Sequence, residues 1–339
     1  MDEAAHLYAG YQHWTAHDFG VNPEHPPLVK LVAALPLLGM NMQQPHPPNP
    51  IFLAEEYIGG DQLLGMNGGD ALLQRARTAV IVFPLLLGAS VFLAGSEMFG
   101  ITAGLLGLTI FCFEPTILAH GALITTDMGV TAMVFVTVWT FWRYVQRPGW
   151  LRLLLFAVAS GLALVSKMSG IIVLPIVLVL GVLEAFPWSR RRALQIFGGV
   201  AVAALAGYLM IWAFYGFRYA ARPPGPLAMA PPLPAFAAML PSNAETGLVM
   251  LLARFHLLPE AYLYGWAKLP IDQMSHPASL FGQVYLTRVP CIFQLRFWSR
   301  RRSRCCCWWA CRLCCCCAAV SYIGDSSFSS WCRRCSLCW

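Results

Sequence analysis

Apolar residues in this chain run in long unbroken blocks. They show neither the alternation of a half-buried strand nor the single stripe of a surface helix. The blocks cover Thr78 to Phe99, Ile101 to Leu118, Met128 to Val145, Leu151 to Val165, Ser169 to Phe186 and Ala193 to Phe214. A bilayer core requires about 20 consecutive apolar residues in a helix, so the blocks predict about six spans within 78–214. Pro84 is tolerable inside the first, because neighbouring helices can satisfy the carbonyl it frees. Leu28 to Met40, after Pro26-Pro27, is apolar but too short to cross, and predicts an interfacial or re-entrant helix. The expected fold class is all-α: a polytopic transmembrane helical bundle whose extracytoplasmic loops carry short interfacial helices.

Composition agrees. The 339 residues are 58% hydrophobic and 12% charged, with a mean hydropathy of +0.59. A soluble domain is nearer a quarter charged, so lipid must be the solvent for much of this surface. The formal charge of +7 points to topology more than to an anionic partner. No basic face with interleaved aromatics is present, which argues against nucleic-acid binding. Met1 is followed at once by Asp2, Glu3 and His6, without the basic and apolar regions of a signal peptide.

Arginines in short loops orient the bundle. Arg143, Arg147 and Arg152 surround one loop, and Arg190, Arg191 and Arg192 fill another two spans later. By the positive-inside rule both are cytoplasmic, and Arg75 and Arg77 on the other side are outvoted. The expected organisation is a first extracytoplasmic loop with an acidic motif at 1–77, the bundle at 78–214, a Pro-rich extracytoplasmic region at 215–289 and a Cys/Arg/Trp-rich tail at 290–339. Of the thirteen cysteines only Cys112 precedes Cys291. The runs Cys305-Cys306-Cys307 and Cys314 to Cys317 lack the spacing of a zinc site. Leu codons read one base late become UN-type codons, those of Cys and Trp among them, and GC-rich Ala codons become those of Arg. We therefore expect the tail after about Thr287 to be a frame-shifted Leu-rich segment.

Acidic, His and Lys residues at the mouth of a helical bundle are functional candidates by default. Asp2, Glu3, Glu114, Asp127 and Lys167 stand at or near span ends, and His6, His25 and His120 are candidate ligands or proton carriers. Asp18, Glu55, Glu56, Asp61 and Asp70 read as ordinary solvated loop charges. Asp2-Glu3 with His6 and Gly10, then Asp18-Phe19-Gly20, then Asn22-Pro23-Glu24-His25-Pro26-Pro27-Leu28-Val29-Lys30, resembles the first extracytoplasmic loop of glycosyltransferase family 39. These are the protein O-mannosyltransferase-like members of the GT-C membrane glycosyltransferases. Glu114-Pro115 through Thr126-Asp127 is similar to their second outer loop, and Gly161 to Lys167-Met168-Ser169-Gly170 to their following helix pair. Gly216-Phe217-Arg218-Tyr219, Leu258-Pro259-Glu260-Ala261-Tyr262, His276 and Phe281-Gly282 resemble the later outer region of bacterial members. The likeness runs from Met1 to Tyr285. The family has a span before its Asp-Glu pair and further spans where this chain has its Cys-rich tail, so the chain is expected to be a fragment.

The resemblance implies a GT-C-like bundle in a bacterial plasma (inner) membrane. It implies transfer of a sugar from a polyprenyl-phosphate-linked donor to a hydroxyl on protein or lipid, with inversion and with the active site on the extracytoplasmic side. Mannose is the family's commonest sugar. Asp2 matches the family's base position, Glu3 is its neighbour, and Asp127 is expected to hold acceptor or orient a cation. A lipid phosphate leaves as a stable anion and needs positive charge more than a general acid. His25, Lys30, Lys167 and Arg218 are the candidates for it, with His6, Glu24, Glu114 and His120 as further candidates. Relatives that modify lipid A carry Lys where this chain has His25, which argues against direct transfer of that specificity. No metal and no other cofactor is expected. The alternatives are a transporter or flippase of a lipid-linked or anionic substrate, which would place its coupling charges near the membrane midplane, and an inactive fragment of a transferase.

Overall fold

The computed structural model describes residues 2–45, 54–186, 189–223, 232–240, 244–275, 278–280 and 283–285. Met1, His276, Phe281-Gly282 and the Cys-rich tail lie outside the described residues. Two compact units are present, 1–268 and 269–339. In the second, Ala278–Leu280 and Gln283–Tyr285 form an antiparallel hairpin with Ala278 opposite Tyr285. The first unit, described below, is helical as the hydrophobic blocks require.

Three helices precede the bundle: α1 (Asp2–Thr15), α2 (Leu28–Ala34) with a 3-10 turn at Leu35–Leu37, and α3 (Glu55–Met66). Asp2 and Glu3 occupy the first turn of α1, and Glu55 and Glu56 that of α3. Carboxylates there favour the positive end of the helix dipole. The bundle begins with α4 (Gly69–Val80) and α5 (Val82–Phe99), separated only by Ile81. The break lies beside Pro84, which has no N–H to return to the Val80 carbonyl. Helix α5 stops at Gly100, whose φ of 93° favours glycine.

The block at 101–118 is not one span. Helix α6 (Ile101–Cys112) ends before Glu114, which adopts an extended conformation because Pro115 follows it. Pro115 then starts a short α7 (Pro115–His120), with the Glu114 carboxylate accepting from Thr116 N at 3.4 Å. Next come α8 (Thr126–Gln146), α9 (Trp150–Ser166), a 3-10 turn at Met168–Ile172 leading into α10 (Val173–Ala185), and α11 (Arg190–Phe214). Among the described residues, four helices are long and apolar enough to cross a membrane: Gly69–Phe99, Thr126–Gln146, Met168–Ala185 and Arg190–Phe214. Two of the six expected spans are shorter. Helix α6 has 12 residues and α9 has 17, roughly 18 and 26 Å at 1.5 Å per residue.

Helix α9 packs between α8 and α11, and α5 packs on both α6 and α8. Between membrane helices the hydrophobic effect supplies no drive, so close backbone approach at small residues takes its place. Gly95 and Gly104 bring α5 and α6 together; a methyl group on Gly104 would lie 2.6 Å from the Phe92 carbonyl oxygen and 2.1 Å from Ser96 Oγ. The outward faces are apolar and bare, with Leu106 and Ile110 each 62% exposed. Lipid is the solvent such faces require.

Polar contacts define the two ends of the bundle. At one end Glu97 accepts from Trp139 Nε1 at 3.1 Å and pairs with Arg143 at 3.4 Å, while Tyr144 Oη donates to the Gln195 carbonyl at 3.0 Å. At the other, Lys167 Nζ donates to Asp127 Oδ1 at 2.7 Å. After α11 come α12 (Leu233–Ala238), α13 (Ala244–Arg254) and α14 (Glu260–Ser275). We predict that Gly104→Val, which must push α5 from α6, destabilises the protein by about 1–3 kcal/mol. Gly107→Ala, whose methyl would meet only Val91 at 3.4 Å, is expected to be neutral; thermal unfolding in detergent compares the two.

Candidate functional site

The site is built at the Asp127–Lys167 end, where α1 lies along α2 and α3. Two glycines let it lie so close. A methyl group on Gly10 would sit 2.0 Å from the Lys30 carbonyl oxygen, and one on Gly60 would sit 2.6 Å from the Ala4 carbonyl carbon. Glu3 then reaches the bundle. Its carboxylate accepts from Arg77 Nε at 3.0 Å and Nη2 at 2.5 Å, and from the Ile124 amide at 3.0 Å. Burial raises the Glu3 pKa, but Arg77 and the amide outweigh burial and hold the carboxyl below its ordinary value. Asp2, one residue earlier, is exposed and makes no side-chain hydrogen bond among the described residues. One turn along α1 it is followed by His6, which is buried.

The loop between α1 and α2 folds over this helix pair, and charge holds it there. Arg222 Nη1 donates to Asp18 Oδ2 and Glu55 Oε1, both at 3.3 Å, and Nη2 donates to Glu55 Oε2 at 2.5 Å. All three side chains are no more than 8% exposed. Asp18 also accepts from Gly20 N at 2.9 Å, and Phe19 N donates to the Ala221 carbonyl at 2.9 Å. Asn22 takes a left-handed conformation with φ of 53°, which Asn tolerates. Lys30 Nζ donates to its carbonyl at 2.7 Å and to its Oδ1 at 3.3 Å. Lys30 is only 1% exposed. Burial pushes its ammonium down to about 7 against the pull of Glu56 and Glu24.

Around that lysine lie His6 and His25, with ring centroids 5.3 Å apart. Burial is the largest cause driving each down to about 3. The charges of His25 and Lys30 add to it at His6, and those of Lys30, Lys167 and Lys268 at His25. Both rings are therefore neutral near pH 7, and the Nδ1 of each has no hydrogen-bond partner among the described residues. Glu24 lies 3.4 Å from His25 Nε2 and also accepts from Lys268 Nζ. Glu56, 2% exposed, has no hydrogen-bond partner for Oε1 among the described residues. The Tyr57 hydroxyl is raised by burial first and then by Glu24, Glu56 and Asp2.

The structure thus brings His6, Glu24, His25 and Lys30 together, with the Asp127–Lys167 pair close enough for Lys167 to act on His25. Asp2 opens the helix that carries His6. Three residues expected at the site are elsewhere. Arg218 donates through Nε to the Ala220 carbonyl at 2.9 Å and through Nη2 to the His17 and Ala221 carbonyls. Glu114 is an exposed cap of α7, and His120 is exposed at that helix's other end.

The loop-charge expectation needs correction. Asp61 and Asp70 are solvated, but Asp18, Glu55 and Glu56 are 6%, 6% and 2% exposed. The chain folds them under α1 and supplies Arg222 from beyond the last span. Arg77, Arg222 and Lys268 are the contributors that sequence reasoning missed. Lys268 had a signal, a lone charge in the apolar run Trp266-Ala267-Lys268-Leu269, as Lys167 is a lone charge between two apolar blocks. A cleft of about 560 Å³ lined by Tyr219, Met250, Arg254, His256 and Glu260 contains none of the expected catalytic residues.

Residues 67–215 match the family model for dolichyl-phosphate-mannose-protein mannosyltransferase. That stretch is similar to the protein mannosyltransferases. The match covers the helical bundle, while Asp2, Glu24, His25 and Lys268 lie outside the matched stretch. No curated protein and no solved structure matches the chain.

Two outcomes follow from these contacts. Arg222→Met leaves Asp18 and Glu55 buried without their cation and is expected to cost about 3–5 kcal/mol. Adding Asp18→Asn and Glu55→Gln should recover part of the lost thermal midpoint. The second concerns acid. His6 and His25 bind protons in the unfolded chain below about 6.5 but in the folded chain only near 3. The folded state therefore holds fewer protons between those values, and stability falls as pH drops from about 6.5 toward 3. The midpoint measured across that window should decline, and the double variant His6→Gln/His25→Gln should show a shallower slope.

Proposed function

We propose that this chain transfers a sugar from a polyprenyl-phosphate-linked donor to a hydroxyl on a protein or lipid acceptor, with inversion at the anomeric carbon. The observation that carries the reading is an exposed carboxylate, Asp2, with no bonded partner among the described residues, on the helix whose His6 ring lies near that of His25, beside the Glu24–Lys268 and Asp127–Lys167 pairs. An acceptor hydroxyl needs a base at the moment of attack, and a departing lipid phosphate needs positive charge. Asp2 removes the hydroxyl proton as the acceptor oxygen bonds to the anomeric carbon. The bond from that carbon to the phosphate oxygen breaks, and the lipid phosphate leaves as an anion.

Other groups divide the remaining work. Glu3, held by Arg77 and the Ile124 amide, fixes the first turn of α1 and with it Asp2. Asp127 orients Lys167. His6 and His25, neutral near pH 7, offer hydrogen bonds without adding charge. The matched family's title names dolichyl-phosphate-mannose as donor and protein as acceptor, which favours mannose and a protein hydroxyl among the choices. The arginines at the Arg143 and Arg190–Arg192 loops assign that end to the cytoplasm. The site then faces the extracytoplasmic side, in keeping with a bacterial inner-membrane enzyme.

Asp2→Asn is expected to lower kcat about a hundred- to ten-thousand-fold, with the thermal midpoint and donor binding unchanged. Transfer of radiolabelled sugar from a polyprenyl-phosphate donor measures it, and a near-normal rate would remove Asp2 from the reaction.

A further inference from the structure

The cations expected to hold the donor phosphate are not equally placed for it. Lys30 commits its ammonium to the Asn22 carbonyl and Oδ1, and Arg218 donates to backbone carbonyls. Lys167, at the end of α9, is 26% exposed at its side chain. Lys268 reaches the same centre from α14, and the packing of that helix explains how. Gly265 lies against the loop between α1 and α2. A methyl group there would meet the Pro23 carbonyl oxygen at 2.2 Å and Met168 Cε at 2.3 Å. Three residues on, along the same helix face, Lys268 bonds to Glu24, the residue that follows Pro23. Lys167 immediately precedes Met168. Lys268 thus bonds to a carboxylate that stands 3.4 Å from His25 Nε2, and Lys167 adjoins the Met168 that faces Gly265, so two lysines from distant parts of the chain come to one corner.

We infer that Lys268 and Lys167 bind the phosphate of the lipid-linked donor, with Glu24 as the exchangeable counter-ion of Lys268; this rests on the transferase reading proposed above. Both lysines are held by carboxylates, Lys268 by Glu24 and Lys167 by Asp127, and these are the partners an anionic ligand would share or displace. An ammonium has three donors, so it can keep a carboxylate while donating to a phosphate oxygen. Glu24 keeps a contact when Lys268 turns away, because His25 Nε2 stands 3.4 Å from its other carboxylate oxygen. Lys167 and Asp127 are 26% and 58% exposed at their side chains, whereas Lys268 is 7% exposed and its pair opens toward solvent through Glu24, at 21%. A lone ion pair serving packing alone would not need its partner lysine to converge with a second one on a neutral ring. Sequence separation hides this: Lys268 and Glu24 are 244 residues apart.

The test is direct binding of farnesyl phosphate to the purified full chain in detergent, with inorganic phosphate as the comparison. Lys268→Met should weaken farnesyl phosphate about tenfold or more, the worth of one charge-assisted hydrogen bond. Lys268→Arg should restore most of the affinity, and Glu24→Gln, which removes the competing carboxylate, should tighten it. Wild-type affinity in Lys268→Met would overturn this inference and leave the transferase reading standing. Should Lys268→Met fail to fold, Glu24→Gln decides: unchanged or weaker binding overturns the exchange. Equal affinity for inorganic phosphate overturns the assignment to a lipid-linked phosphate. A wild-type chain that does not bind farnesyl phosphate defeats the donor reading and this inference together.

Discussion

A charge buried beside a membrane bundle is tolerable only when it meets a partner and its hydrogen bonds are made. The Arg222 guanidinium lies between Asp18 and Glu55. Those residues come from the loop after α1, the start of α3 and the segment beyond the last span. Each would be an expensive orphan alone, so the three segments are driven to one place. With Asp18 anchored, Phe19 can pair with Ala221 and the loop can run back over α1 to present Glu24 and His25.

The same economy governs the first turn of α1. Glu3 and Asp2 are neighbours with similar chemistry, but a helix points successive side chains in different directions. Glu3 meets Arg77 and the Ile124 amide, whereas Asp2 remains in water. One carboxylate is thus occupied in holding the helix and the other is open to a substrate. Close approach at Gly10, Gly60 and Gly265 supplies the other half of the architecture, because backbone-to-backbone contact sets how deeply α1 and α14 settle. Side chains at those positions would lift both helices and separate the lysines from His25.

The family match and the local geometry carry different parts of the functional case. The match over 67–215 speaks for the bundle. The acidic turn, the two histidines and Lys268 lie outside it, so their roles rest on where the fold gathers them. Dense positive charge around neutral rings, beside an open carboxylate, suits a reaction in which a hydroxyl loses a proton and an anion departs.

The sequence by itself determined the solvent and the secondary structure. Unbroken apolar blocks permit only lipid-facing helices, since backbone groups in a bilayer must bond within their own segment. It also marked Asp2, Glu3, His6, His25, Asp127 and Lys167, because charge and imidazole at span ends are conspicuous against an apolar background. Helix length was legible only in part: Glu114-Pro115 cuts one expected span into α6 and α7, an effect of local backbone sterics that a hydropathy window averages away. Only the tertiary structure decided which carboxylates are wet and which are buried. Asp18, Glu55 and Glu56 look like Asp61 and Asp70 in sequence, and differ only in whether a cation or a helix is folded over them. Arg222 and Lys268 find their partners 204 and 244 residues away, and such pairings depend on how the helices pack, which no local pattern records.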